Sequence, residues 1–77
     1  MLRAYVLIQA ETGRAAEVTM AVAGMPGVSS ASAVHGPYDV IAKAEAADVD
    51  ELGNVIVAKL QTLEGVTRTL TCPVTRL

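Results

Sequence analysis

Met25-Pro26-Gly27-Val28 and Leu63-Glu64-Gly65-Val66 are the same punctuation written twice, a step of 38 residues apart (27 to 65). In each, a last apolar helical residue is followed by a breaker, a glycine and the valine that opens a strand. Carried along the chain, the same step pairs Leu2 with Val40, Ala4 with Ala42, Val18 with Ile56 and Val22 with Leu60. Because 52% of the residues are hydrophobic, isolated apolar matches come easily, and the paired Gly-Val signals carry the reading. Each half reads as strand, helix, strand.

Working outward from these two stops, Leu2, Ala4, Val6, Ile8 and Ala10 alternate with Arg3, Tyr5, Leu7 and Gln9, the period of a strand. Its second face is not cleanly polar, since Tyr5 and Leu7 lie on it. Glu11-Thr12-Gly13 breaks the strand, with Thr12 predicted to cap the helix that follows. Ala15, Val18, Val22 and Met25 make a narrow helical stripe, and Pro26-Gly27 ends it. Val28 to Val34 is a strand of small residues. His35-Gly36-Pro37 turns the chain, and Tyr38 to Glu45 alternates again, Val40, Ala42 and Ala44 against Ile41, Lys43 and Glu45. Asp48-Val49-Asp50-Glu51 has the form of a capping box. The helix behind it presents Val49, Leu52, Ile56, Leu60 and Leu63, with Val55 alongside, and Glu64-Gly65 stops it. The last strand, Val66 to Val74, is predicted to hold Val66, Arg68, Leu70, Cys72 and Val74 on one face and Thr67, Thr69 and Thr71 on the other. Pro73 cannot donate to a ladder, which places its end at a sheet edge or past the paired region. The order is βαββαβ: an α+β, ferredoxin-like split βαβ with a four-stranded antiparallel sheet and both helices on one face.

The 77 residues make one domain, 1–77, near the lower size limit for a self-sufficient core. With no Phe, no Trp and two Tyr, that core is built from small aliphatic side chains, which bury little area each. An apolar second sheet face and a thin core point the same way, to a second copy packed against the helix-free side. The net charge of −2 and the scattered basic residues Arg3, Arg14, Lys43, Lys59, Arg68 and Arg76 give no basic face for nucleic acid. The apolar run Met1 to Ala10 is too short to span a bilayer and lacks a signal-peptide cleavage pattern. One cysteine, Cys72, excludes an internal disulfide and any CxxC motif, and fits a reducing cytoplasm.

As an enzyme the chain is poor. His35 is the single histidine, with no carboxylate pair or metal spacing around it; a turn histidine of this kind is solvated more often than catalytic. Cys72 lacks the basic or helix-N-terminal setting that makes a nucleophile and reads as a small hydrophobe. Helix capping accounts for Asp48, Asp50 and Glu51 without a divalent ion. No catalytic residue, metal or cofactor is expected.

Gly36-Pro37-Tyr38-Asp39 admits two readings. Glycine permits close backbone approach, proline stiffens the turn, and Asp39 is a fixed anion beside backbone N–H groups; the ammonium and carboxylate of one small molecule would both find partners. Turn chemistry alone, with Asp39 capping and Tyr38 packing, is the other. Thr67, Thr69 and Thr71 likewise are either ordinary strand residues or hydroxyls lining a cavity shared between subunits.

The run Val34-His35-Gly36-Pro37-Tyr38-Asp39-Val40, with Leu63-Glu64-Gly65-Val66-Thr67-Arg68-Thr69-Leu70-Thr71 after it, resembles the ligand-sensing half of the Lrp/AsnC transcriptional regulators, the RAM domain (regulation of amino acid metabolism). The resemblance covers nearly the whole chain. It implies subunits paired sheet against sheet as a dimeric α+β barrel, dimers assembled into rings commonly of eight, and a small amino acid bound between dimers. By position it implies Gly36, Tyr38 and Asp39 at the ligand, Asp39 on its ammonium and backbone N–H groups near Gly36 on its carboxylate, with Thr69 and Thr71 in support. Nothing resembling the family's helix-turn-helix precedes the first strand. The expectation is a stand-alone RAM module, without direct nucleic-acid or membrane contact, that senses an amino acid or co-assembles with a full-length regulator. The competing expectations are a small cofactor-free monooxygenase or isomerase of the same fold, and a ligand-free oligomerisation scaffold.

Overall fold

The computed structural model describes residues 1–75, so Arg76 lies outside the described residues. Strand β1 (Leu2–Ala10) leads to α1 (Ala15–Ala23), β2 (Val28–Ala33), β3 (Val40–Ala46), a second helix α2 over 49–61, and β4 (Val66–Pro73). All pairs are antiparallel, in the order β2-β3-β1-β4, and both helices pack on one face. The βαββαβ reading holds.

The period-two pattern of β1 and β3 decides which face the helices cover. Ala4, Val6 and Ile8 sit opposite Ala44, Ala42 and Val40, and all six are buried under Val18 and Val22 of α1 and Leu52, Ile56 and Leu60 of α2. No aromatic side chain is among them, as the composition requires.

The duplicated stops do the same work in both halves. Met25 N–H donates to Val22 O and Leu63 N–H to Leu60 O, each at 3.1 Å; Val28 N–H donates to Met25 O and Val66 N–H to Leu63 O, each at 3.2 Å. Gly27 and Gly65 take φ of +88° and +94°, the left-handed region that a side chain makes costly. Space is equally decisive. A Cβ on Gly27 would lie 2.7 Å from Ile56 Cδ1, and one on Gly65 would lie 2.9 Å from Val18 Cγ2. Ile56 and Val18 are themselves partners in the 38-residue step (18 to 56), so each half's glycine is seated against the other half's helix.

Helix α2 starts as the capping box predicts: Glu51 N–H donates to Asp48 Oδ1 at 2.8 Å, while the Glu51 carboxylate accepts from Ala47 N–H at 2.9 Å. It is α-helical over Val49–Glu51, widens to a π-helix over Leu52–Val57 and returns to α over Ala58–Gln61. The wider turn selects the strict spacing of four, Leu52, Ile56 and Leu60, for the core. Val57 packs beside them, whereas Val49 and Val55, expected on the stripe, are exposed at 68% and 45%.

Two further expectations are corrected. Thr12 does not cap α1. A turn closed by Arg14 N–H to Glu11 O at 2.9 Å leaves Thr12 outside the helix, and Arg14 occupies the N-cap without a side-chain cap. Arg14 instead binds Glu11 at 2.9 Å and Glu17 at 2.6 Å, and lies 3.5 Å from Glu64 beside the second stop. In β4, Val66 and Leu70 do not share a face. The register shifts after the Gln9–Arg68 pair, so Val66 falls opposite Ala10 on the helix side together with Thr69 and Thr71, opposite Ile8 and Val6. Arg68, Leu70 and Cys72 point the other way. Pro73 lies on an edge strand, as its missing donor demands.

Two outcomes follow from this packing. Gly27→Ala and Gly65→Ala each combine left-handed backbone strain with overpacking and should cost about 2 kcal/mol or more in urea unfolding. Adding Ile56→Val to Gly27→Ala removes the clashing Cδ1, so the double variant should lose less than the two single losses combined. Hydrogen bonds from Arg14 hold the Glu17 carboxyl below its ordinary value of 4.5. That stabilisation is therefore complete above the unfolded value and is lost as pH falls through the lower folded one; Glu17→Gln should flatten the acid limb of a stability–pH curve.

Candidate functional site

The connector 34–39 joins β2 to β3 at one end of the sheet. Val34 N–H donates to Asp39 O at 2.9 Å, which closes its neck, and Gln9 Nε2 donates to Pro37 O at 2.9 Å, which ties it to β1. Pro37 has no N–H, and the N–H groups of His35, Gly36 and Tyr38 make no hydrogen bond within the chain among the described residues. A short stretch of exposed chain thus presents unpaired donors, a setting suited to a carboxylate.

Asp39 sits just before β3, past the last β1–β3 pair of Ile8 with Val40. Its N–H donates to Ile8 O at 2.9 Å, and its Oδ2 accepts from Ala10 N–H at 2.8 Å. The carboxylate is half-buried and fixed, and no protein donor reaches Oδ1 among the described residues. Capping occupies one oxygen and leaves the other open, so the two readings posed as alternatives by the sequence are compatible.

Beside the connector a cleft of about 350 Å³ is lined by Leu7, Val34, His35, Gly36, Pro37, Tyr38 and Ile41. Leu7 and Ile41 belong also to the helix-free face, where Ile41, Leu7 and Leu70 form one cross-strand row. Tyr5 and Cys72 pair in the row beyond, Tyr5 under Lys43 Nζ at 6.0 Å from the ring centre. Arg3 and Glu45 lie 3.5 Å apart at the far end. Tyr5 is 42% and Leu70 46% exposed, so the single chain leaves an apolar band open. Sheets that face water on one side normally alternate to polar residues there.

Thr69 and Thr71 are brought to the same end of the sheet but not to the same surface. They face the helix side of the edge strand β4, and Thr69 Oγ1 accepts from Gln61 Nε2 at 3.1 Å. Ile8 of β1 separates Thr69 from Val40, the residue after Asp39, so the two groups stand about two strand spacings, ~10 Å, apart. The cleft beside the connector opens on the helix-free side and the two threonines face the helices, so the subunit does not bring the two sets onto one surface. Gln9, absent from the expected site, braces the connector through Pro37 and accepts from Thr67 Oγ1 at 3.2 Å on its carbonyl. Nothing in its sequence position marks that role.

His35 is exposed on the connector, and no cluster of three or more His, Cys, Asp or Glu that could hold a metal exists among the described residues. No helix among them is long and apolar enough to cross a membrane.

The fold is that of a ferredoxin-like α+β domain. The profile of the Lrp/AsnC ligand binding domain matches residues 3–77, and the chain belongs to that family. It is 36% identical over 55 residues to the uncharacterized HTH-type transcriptional regulator PF0250 of Pyrococcus furiosus, a match covering 71% of this chain and 37% of that protein. The chain thus spans little more than a third of the regulator relatives it matches. The crystal structure of TTHA0845 from Thermus thermophilus superposes with a TM-score of 0.90 at 38% identity, covering 100% of this chain and 96% of that one. The transcriptional regulator NMB0573 of Neisseria meningitidis, solved as an L-Met complex, shares the fold with a TM-score of 0.82 at 22% identity, over 97% of this chain and 50% of that one.

Because Asp39 Oδ2 satisfies the half-buried Ala10 N–H, Asp39→Ala should cost about 1–3 kcal/mol in chemical unfolding. Asp39→Asn keeps an acceptor and should cost clearly less.

Proposed function

We propose that this chain is an amino-acid-sensing, oligomerising effector module of the Lrp/AsnC type and carries out no catalytic step. The observation that carries the reading is the connector: N–H groups at 35, 36 and 38 without a partner among the described residues, next to a carboxylate with one oxygen open among them, complementary to the two α-groups of an amino acid. Family membership and the L-Met complex of the Neisseria regulator support it. In this reading Asp39 Oδ1 receives the ammonium, the N–H groups around Gly36 receive the carboxylate, and Tyr38 flanks the ligand.

Assembly completes the module. The open row Ile41–Leu7–Leu70, with Tyr5 beside it, pairs with the same row of a second copy and makes a dimer. Thr69 and Thr71, on a different surface from their own connector's cleft, serve a ligand held by the connector of a neighbouring dimer, as in a ring of up to four dimers. A ligand bound where copies meet favours the assembly that completes its site, and the same linkage would let the module alter a full-length regulator with which it co-assembles. Such a module works in the cytoplasm, beside the regulators it resembles.

A thermal-shift screen of the twenty amino acids tests the reading: a bound one at 100 times its Kd adds about 2.7 kcal/mol of stability. Asp39→Asn should abolish the response while the fold stands. Light scattering should show a dimer or larger, and Leu70→Lys, at an exposed position, should shift it to monomer with little loss of secondary structure. An unshifted melting temperature for every amino acid, or a monomer at micromolar concentration, overturns the proposal.

A further inference from the structure

The lining of the cleft beside the connector says more than that an amino acid binds; it says which kind. We infer that the cleft is the side-chain chamber of the site and selects an aliphatic or thioether amino acid over charged and polar ones. The inference rests on the proposed amino-acid reading and deepens it.

Three observations carry it. First, the chamber adjoins the polar contacts: Gly36 and Tyr38, whose N–H groups are unpaired, form part of its wall. A ligand anchored there by its α-groups has its side chain at the mouth of the cleft. Second, the walls are apolar. Leu7, Val34, Ile41 and Tyr38 supply most of the lining, His35 is its one basic side chain, and no Asp, Glu, Lys or Arg lines the cleft. On the same sheet face Lys43 lies over Tyr5 and Arg3 is engaged with Glu45, while Arg68, opposite Gln9, lies outside the lining. Burying an unpaired charge against such walls is heavily penalised, and a buried hydroxyl or amide would find few partners. Third, the cleft's volume of about 350 Å³ lies at the lower end of the range for small-molecule sites. Leu7 and Ile41 also form part of the band that a second copy covers, so pairing would roof the chamber and exclude water from its contents.

A homologous series reads this directly on the wild-type protein. Isothermal titration with alanine, 2-aminobutyrate, norvaline and norleucine should give a Kd that tightens about fourfold for each added methylene, the factor that 0.8 kcal/mol represents. Leucine and methionine should bind within that range, and aspartate, lysine and serine should give no heat. Val34→Asn keeps the backbone bond to Asp39 O and should flatten the dependence on chain length. A flat series together with binding of aspartate, lysine or serine overturns the selectivity and leaves the amino-acid reading standing. Silence from every amino acid overturns both.

Discussion

The reciprocal seating of Gly27 on Ile56 and Gly65 on Val18 is the contact on which the rest of the molecule depends. Each glycine ends one half's helix and starts its strand, and each does so at a point where the other half's helix leaves no room for a Cβ. The helices are thereby fixed relative to the sheet in two symmetry-related places. Each stop closes through hydrogen bonds of its own half, and the other half's helix restricts its residue to glycine. The core then needs no large side chain, because alanines in β3 and close helix approach leave little volume to fill.

From that frame the sheet's central strand β1 inherits two duties. Its inward side carries Val6 and Ile8 under the helices, and its end serves as the anchor of the connector, through Ile8 O, Ala10 N–H and Gln9 Nε2. The candidate site is therefore built on rigid strand backbone although its polar contacts come from a loop. The helix-free side remains unfinished in the single chain. One surface is satisfied internally and the other is left open, which is why the candidate site and the proposed assembly surface share Leu7 and Ile41.

Most of this architecture was legible in the residues. The Gly-Val stops, the alternation in β1 and β3, the capping box at Asp48 and the awkward Pro73 each state a local constraint that tertiary contacts did not overrule. What escaped reading depended on geometry that no local pattern encodes. The register shift after Gln9 turned Thr69 and Thr71 to the helix side, and a bulge leaves no signature in a run of Val, Thr and Arg. The π-helical turn moved Val55 off the buried stripe by altering the residues per turn, which a spacing argument assumes constant, while Val49 lies at the exposed start of the helix. Thr12 looked like a cap because caps are recognised by type, yet the Glu11–Arg14 turn delayed the helix past it. At the site, Gly36, Tyr38 and Asp39 were visible as an unusual turn; that Asp39 caps Ala10 N–H through one oxygen and leaves the other open was not.

The distribution of aromatic rings has an optical consequence. The chain has no tryptophan and no phenylalanine, and its two tyrosines lie outside the core, Tyr5 on the open sheet face and Tyr38 in the wall of the cleft. Its near-ultraviolet absorption, circular dichroism and intrinsic emission therefore carry no signal from interior packing. They report what approaches the face and what enters the cleft, while the far-ultraviolet band alone follows the helices and strands. In this protein the two spectral windows separate meeting from folding.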